Sequence, residues 1–280
     1  MKKYIAIGSL CATLFFAGCD NYLDIVPKGQ SVLNTTSDYI GLLEEGDPNF
    51  EMNTFYYMAD EASMRDMNDI ETYKYPLTSI AFFWDEVADR IKYTVTETDD
   101  PIYAHCYRRI SRYNIVIEHI GDADGSEADK KLGIAQAKIL RAYNYFFLVN
   151  TYAKQYDPAT AATDPGIIIH EKFDLEATSR QYTVQQVYDF IERDIKDALP
   201  DLPEKPVNSY RPSKAFGYGL KAKVLLFKGD IDGSLTAGLE VLKSSYHHLW
   251  DMNENYQVIY QILKSMHMEN MWSSMSAMYR

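Results

Sequence analysis

The chain has 280 residues, of which 46% are hydrophobic, and its 28 Lys and Arg against 40 Asp and Glu give a formal net charge of −12. Nucleic acid is therefore not an expected partner, because binding a phosphate backbone needs clustered cations. The length is sufficient for a large hydrophobic core or for two lobes.

The first eighteen residues are typical of an export signal. Two lysines precede an apolar run over residues 4–16, which is too short to span a bilayer. Ala17 and Gly18 then lead to Cys19, in the pattern of a lipobox, where the cysteine thiol receives a lipid. The sequence predicts a signal peptide over residues 1–18 and lipidation of Cys19. The alternative is an ordinary signal peptide that is cleaved nearby and leaves Cys19 as a free thiol.

The remaining cysteine is predicted to be structural. Removal of residues 1–18 leaves 280 − 18 = 262 residues and, with two lysines lost, a net charge of −12 − 2 = −14. Cys11 lies in the signal and Cys19 is assigned to the lipid, so Cys106 has no partner for an intramolecular disulfide. It falls in a helical pattern rich in aromatic residues, which favours a buried thiol over a nucleophile.

An irregular region follows the predicted lipid site. Residues 19–37 contain proline, glycine and several Asn, Ser and Thr, and they are predicted to form an extended, lipidated tether. A short helix is predicted through Glu45, with Ser37 or Asp38 as its cap. Residues 47–100 are rich in Met, Tyr, Phe and Asp and show no sustained period. We interpret them as loops and short helices and expect the ligand site there, since binding residues concentrate in loops.

Helical periodicity is clear in the rest of the chain. Apolar residues at spacings of three and four predict amphipathic helices over residues 102–120 and 127–152. A third helix is predicted from a Thr183 cap through Leu199. Pro212 is expected in the first turn of a fourth helix, where proline is well tolerated.

The fourth helix and a fifth are predicted to form a hairpin. Residues 215–227 and 231–242 are both helical in pattern, and Gly229 and Asp230 are expected to form the structural turn between them. Small residues stand where the two helices approach, as in a tetratricopeptide repeat. One repeat cannot bury its own apolar face, so neighbouring helices of similar type are expected.

Six groups of residues occur in order between Cys19 and Trp272. They are Asn21-Tyr22-Leu23-Asp24 with Pro27; Tyr107, Ile110 and Asn114; Gln136-Ala137-Lys138 with Leu140-Arg141-Ala142-Tyr143 and Tyr145-Phe146; Arg180, Thr183-Val184, Val187-Tyr188, Ile191 and Asp194; Arg211, Ser213-Lys214-Ala215 and Ala222; and Tyr246 with Leu249. In this order they resemble the SusD/RagB family of outer-membrane nutrient-binding lipoproteins.

The resemblance implies an all-α fold of tetratricopeptide-like helical hairpins with long irregular loops. It implies a protein without catalysis that binds an oligosaccharide, or in some relatives a peptide, and sits over a TonB-dependent (SusC-like) transporter in the outer membrane. Tyr103 departs from the family, where tryptophan is expected. Family members also continue into a second lobe, whereas this chain stops at Arg280. Residues 38–280 are therefore expected to form the helical domain, with the second lobe missing.

Motifs for chemistry are not found in the sequence. It has no nucleophile elbow, no glycine-rich phosphate loop and no paired-histidine zinc helix. His247 and His248 are adjacent and point to different sides of the chain, which is a poor arrangement for a metal. No cofactor or metal is expected. A glycoside hydrolase remains open as a rival, because any two of the 40 acidic residues can converge.

The chain is rich in aromatic residues, with 23 Tyr and 12 Phe. Those at helical spacing are predicted to lie in the core, namely Tyr107, Tyr113, Tyr143, Phe146, Tyr188 and Phe227. The candidate ligand-binding residues, Trp84, Phe83, Tyr75 and Tyr73, fall outside strong helices, although loop aromatics can also anchor a loop. The function predicted is glycan capture for a transporter, and the alternative is a peptide-binding or purely protein-binding scaffold.

Overall fold

The computed structural model describes most of the predicted helical region. The described residues are 33–44, 76–93, 100–174, 176, 178–208 and 210–246. Cys19, Tyr73, Tyr75 and the two adjacent histidines lie outside them.

Seven α-helices occur in the described ranges. They are α1 (Thr36–Glu44), α2 (Pro76–Phe82), α3 (Pro101–His119), α4 (Glu127–Tyr152), α5 (Val184–Ala198), α6 (Lys214–Phe227) and α7 (Ile231–Leu242). The predicted all-α class is confirmed, and the helices predicted over residues 102–120, 127–152 and 183–199 agree with α3, α4 and α5 to within one residue. None of these helices combines the length and apolar character needed to cross a bilayer.

Side-chain caps fix where the helices begin. Ser126 accepts a hydrogen bond from Asp129 N at the start of α4, and Thr183 and Gln186 form a reciprocal capping box at α5. Two predicted starts were wrong. The first was the cap of α1, which was predicted at Ser37 or Asp38. Thr35 is the cap, because its hydroxyl accepts a hydrogen bond from Asp38 N and its own amide donates to the Asp38 carboxylate.

Pro212 was also misplaced by the sequence-based prediction. The Ser213 hydroxyl accepts from Phe216 N and so acts as the N-cap of α6, which begins at Lys214. The proline therefore precedes the cap instead of occupying the first turn. Its carbonyl oxygen accepts a hydrogen bond from the buried Gln136 side chain, 3.1 Å away.

A two-stranded sheet connects α4 to α5, and the sequence analysis did not predict it. Strands β1 (Pro165–Ile168) and β2 (Gln181–Thr183) pair antiparallel, with Pro165 opposite Thr183. A Cβ at Gly166 would lie 2.8 Å from the Tyr182 carbonyl oxygen, so glycine permits the close approach of the strands. Since β2 ends at the cap of α5, the sheet positions that helix.

The main core lies between α3, α4 and α5. Its largest fully buried side chains include Ile110, Ile139, Tyr145, Leu148, Tyr188, Ile191 and Ile195. Cys106 is completely buried among them, as predicted, and burial raises the pKa of its thiol to about 12. A second cluster joins Leu43 of α1 to Val116 and Ile120.

The aromatic residues predicted for the core divide into three groups. Tyr113, Phe146 and Tyr188 are buried, and Tyr107 and Tyr143 are half-buried. Phe227 was predicted wrongly, because its side chain is 36% exposed. It is the last residue of α6, and its ring still packs T-shaped against that of Phe146, with the ring centres 5.1 Å apart.

A buried ion pair joins α4 to α5. Arg141 donates from Nε and Nη2 to the two carboxylate oxygens of Asp194, at 2.7 and 2.9 Å, and the two side chains are only 5% and 1% exposed. Arg141 Nη1 donates to Asn114 Oδ1 on α3 and to the Glu171 carbonyl oxygen. Burial raises the pKa of Asp194, and the bonds from Arg141 oppose that rise. Three helices and the segment after β1 therefore share one guanidinium group.

We expect Asp194→Ala to lower the free energy of unfolding by about 3–5 kcal/mol, because it leaves the buried Arg141 charge without its carboxylate. Asp197→Ala is the matched control, since it removes a more exposed carboxylate that pairs with Lys138 on α4. The control should cost about 1 kcal/mol or less. Chemical denaturation of both variants measures the difference, and equal losses would contradict a dominant role for the buried pair.

Helices α6 and α7 form the predicted hairpin. Gly229 has a φ of 81°, the Gly229 and Asp230 amides donate to the Leu226 and Leu225 carbonyl oxygens, and the Asp230 side chain accepts from Gly233 N. These bonds define a Schellman motif, with glycine at the left-handed position, followed directly by an N-cap.

Gly229→Val should destabilise the protein by about 1–2 kcal/mol, through the cost of a left-handed backbone for a residue with a side chain. A Cβ at this position meets nothing within 4 Å, so the effect isolates the backbone. Gly238→Ala in α7, where a Cβ is equally free of contacts, is the control and should stabilise the helix by roughly 0.5–1 kcal/mol. Thermal denaturation tests the pair. A Gly229→Val variant that melts with the wild type would refute the structural role of the turn.

Candidate functional site

Two of the predicted ligand-binding aromatics lie in an exposed turn directly after α2. Phe83 is 47% exposed and Trp84 is 62% exposed. The Phe83 ring packs edge-on against Phe82, with the ring centres 5.2 Å apart. Among the described residues, no aromatic ring packs against the Trp84 indole. The indole is therefore presented to solvent, whereas its neighbour is partly used in local packing.

The backbone of this turn holds Trp84 in an unusual conformation. Its φ is 53°, and among the described residues it is the one non-glycine residue with positive φ. Trp84 N donates to the Ala81 carbonyl oxygen and Asp85 N donates to that of Ile80, at 3.2 and 3.0 Å. These are the two bonds of a Schellman motif, and Trp84 occupies the position where glycine is usual. A bulky residue there costs about 1–2 kcal/mol.

Acidic residues follow Trp84 in the same turn. The Asp85 carboxylate accepts from the backbone amides of Val87 and Ala88, at 3.0 and 3.1 Å, and so fixes the path of the chain after the tryptophan. Asp85, Glu86 and Asp89 are all exposed. An exposed flat apolar ring, followed along the chain by exposed carboxylates, suits a ligand with a C–H face and hydroxyl groups. We call residues 83–89 the Trp84 turn.

A second exposed aromatic cluster occurs where α3 begins and α4 ends. The rings of Tyr103 and Tyr152 meet edge-to-face, with centres 5.4 Å apart, and each residue is more than a third exposed. Asp100 Oδ1 accepts from the Tyr152 hydroxyl at 2.6 Å and from Tyr103 N at 3.2 Å. Burial and this hydrogen bond raise the pKa of Tyr152, which keeps its hydroxyl protonated as a donor.

A groove of about 450 Å³ lies between α5 and α6. Its walls include Ile195, Leu199 and Leu225, one aromatic ring from Tyr218, and the exposed lysines Lys196 and Lys221. This lining is mainly aliphatic and cationic. It suits a sugar face less well than the aromatic and carboxylate groups of the Trp84 turn.

The family of the chain follows from comparison with known proteins. A SusD-like family model, described as "Starch-binding associating with outer membrane", matches residues 21–226. The chain belongs to this SusD-like family. The match includes the Trp84 turn and the Tyr103–Tyr152 cluster, and it ends within α6. No curated protein sequence matches the chain.

Solved structures share the fold of this SusD-like chain at low sequence identity. A SusD superfamily protein from Bacteroides vulgatus is 16% identical with a TM-score of 0.64, over 80% of this chain and 50% of its own. One from Bacteroides thetaiotaomicron is 18% identical with a TM-score of 0.60, over 79% and 49%. A laminarin binding SusD-like protein is 18% identical with a TM-score of 0.55, over 76% and 44%. The chain thus spans about half the length of these relatives.

The structure brings together only part of the site predicted for this SusD-like chain. Phe83 and Trp84 are neighbours in one turn, whereas Tyr75 and Tyr73 lie outside the described residues. The Tyr103–Tyr152 cluster was missed, because the two rings are 49 positions apart in sequence. Tyr103 carried the one available signal, as it stands where the family pattern has tryptophan.

Metal-ligating side chains do not cluster among the described residues. Those residues contain no group of three or more His, Cys, Asp or Glu side chains arranged to hold a metal ion. Within the described residues, Trp84 is the more exposed of the two predicted ligand-binding aromatics, at 62% against 47% for Phe83.

Proposed function

We propose that this SusD-like protein captures carbohydrate at the bacterial outer membrane and that the Trp84 turn contacts the ligand. The observation that carries the proposal is an exposed indole held in a left-handed backbone. The family description names starch binding, and one relative of similar fold is described as laminarin binding. Both descriptions favour a glucan as the first ligand class to test.

The energetics of the turn support a binding role for Trp84. Glycine would remove a strain of about 1–2 kcal/mol, and a polar residue would avoid exposing a large apolar ring. No ring contact among the described residues compensates for either cost. Strained residues cluster at ligand sites, where the surrounding structure holds them in a functional geometry. Stacking of the indole on a sugar face explains both the exposure and the conformation.

Membrane attachment and transfer to a transporter complete the proposed function. Cys19 follows an export signal and would carry the lipid at the start of the tether predicted over residues 19–37, whose last two residues lie in α1. The family description places its members in association with the outer membrane. We propose a TonB-dependent, SusC-like transporter as the partner that receives the glycan. Binding would proceed without catalysis.

A protein-binding scaffold is the second candidate function. The specific observation in its favour is a row of exposed aliphatic side chains on α7, which no sugar is suited to cover. Loss of glucan binding on substitution of Trp84 distinguishes the two functions, because a pure scaffold would bind no glucan in any variant.

We expect Trp84→Ala and Trp84→Gly to weaken binding of maltooligosaccharides or laminarin oligosaccharides at least tenfold, which corresponds to about 1.4 kcal/mol. Trp84→Gly should at the same time be more stable than Trp84→Ala by roughly 1 kcal/mol, since glycine relieves the left-handed strain. Isothermal titration calorimetry measures binding, and thermal denaturation measures stability.

Tyr210→Ala is the matched control, because Tyr210 is 73% exposed but lies far along the chain, before α6. This variant should bind like the wild type. If all three variants bind a glucan with wild-type affinity, the Trp84 turn is not the site. If the wild type binds none of the glucans while it remains folded, glucan capture by this chain is wrong.

Cys19→Ser should abolish the lipid adduct and release the protein from the membrane fraction, because serine lacks the thiol that is modified. Cys11→Ser is the control, since position 11 lies within the predicted signal and is removed with it. Mass spectrometry of membrane fractions should show the adduct in the control alone. An unchanged adduct in Cys19→Ser would contradict the proposed anchor.

A further inference from the structure

The groove between α5 and α6 is built from one face of each helix. Its lining residues recur at spacings of three and four, which places them on a single side of a helix. They are Ile195 and Leu199 along α5 and the turn after it, and Lys214, Tyr218, Lys221 and Leu225 along α6. The lined stretch of α6 is about 16 Å long. The volume of about 450 Å³ falls in the range of roughly 300–1,000 Å³ that is usual for small-molecule sites.

The groove is apolar at its base and cationic at its rim. Ile195 and Val224 are 1% and 0% exposed, so they form the base. Lys196 and Lys221 line the groove from α5 and α6, and both side chains are exposed. A molecule in the groove would therefore meet hydrocarbon inside and ammonium groups at the opening.

The two rim lysines form no ion pair with any carboxylate that the structure describes. The other charged groups of the groove are paired, since Glu192 accepts from Lys228 at 2.9 Å and Lys214 donates to Glu204 at 2.7 Å. Helix α6 carries three lysines and no acidic residue, in a chain whose formal net charge is −12. Cations that line a cleft with apolar walls raise the local concentration of anions. The groove thus has the opposite charge to the chain as a whole.

We propose that this groove binds a small amphiphilic anion, with an aliphatic chain over Ile195 and Val224 and a carboxylate head at Lys196 and Lys221. Charge complementarity selects this class of ligand. A neutral sugar would leave both ammonium groups without a counterion, and the aliphatic base offers no hydrogen-bond partner to its hydroxyl groups. A medium-chain fatty-acid anion satisfies both the base and the rim. The groove shares no residue with the Trp84 turn, so this inference does not depend on the proposed glycan-binding function.

Octanoate is the probe, and the protein is the Cys19→Ser chain, which carries no lipid of its own. Isothermal titration calorimetry measures binding below the concentration at which the probe forms micelles. We expect octanoate to bind at least tenfold more tightly than 1-octanol, which has the same chain length and no charge. Decanoate should bind at least threefold more tightly than octanoate, because two more methylene groups leave water.

Substitution of the rim lysines tests where the anion binds. Lys196→Gln combined with Lys221→Gln should weaken octanoate binding at least tenfold and leave 1-octanol binding unchanged. Lys223→Gln is the matched control, because Lys223 is an exposed lysine of the same helix that does not line the groove. It should bind octanoate like the wild type. All these lysines are exposed, so thermal denaturation should show wild-type melting for each variant.

Four results decide the proposal. Preference for octanoate that is lost in the double variant and kept in Lys223→Gln supports it. Equal affinity for octanoate and 1-octanol indicates apolar adsorption and overturns the assignment of an anionic ligand. Equal losses in Lys223→Gln and in the double variant indicate a general effect of surface charge and overturn the assignment of the groove. A folded wild type that binds neither octanoate nor decanoate overturns the proposal outright.

Discussion

The packing of this protein depends on how one buried guanidinium group is satisfied. Arg141 reaches Asp194 on α5, Asn114 on α3 and the carbonyl oxygen of Glu171, all from the middle of α4. A buried charge tolerates little displacement of its partners, because each lost bond leaves a desolvated group unpaired. The three helices can therefore shift or rotate little relative to one another without breaking these bonds. Hydrophobic burial is the main source of stability in folded proteins, and we infer that this network favours one arrangement of the three helices.

Hydrogen bonds of two tyrosine hydroxyl groups hold the chain next to the sheet against the same helices. Tyr107 donates to the Ile168 carbonyl oxygen at 2.8 Å, while Tyr145 accepts from His170 N and donates to the His170 carbonyl oxygen. A short two-stranded sheet is marginally stable by itself. Here the chain that leaves β1 is fixed to α3 and α4, and β2 passes directly into the cap of α5. The sheet thus joins the helical layers, although it contributes few residues to the core.

The sequence predicted the features whose signals are local. Periodicity located α4, and a glycine–aspartate pair located the turn of the α6–α7 hairpin. Features formed by distant residues were not predicted. Arg141 and Asp194 are 53 positions apart and appeared in sequence only as parts of a family pattern. The exposure of Phe227 depends on which residues pack beyond the end of α6. The spacing of apolar residues in the sequence does not reveal those contacts. For the candidate site, the residue type of Trp84 was visible in the sequence but its conformation was not.

The turns at Gly229 and Trp84 share one hydrogen-bonding pattern and differ in the residue at its left-handed position. A residue in that position has few accessible backbone states, so the direction of its Cα–Cβ bond is set when the protein folds. A ligand that stacks on such a ring loses little affinity to ordering the protein. For the proposed glycan contact, affinity would then vary mainly with the shape of the sugar face, and flexible and rigid oligosaccharides would differ through their own loss of conformational entropy. The short turn after α2 would therefore distinguish glycans mainly by the shape of the sugar face that stacks on Trp84.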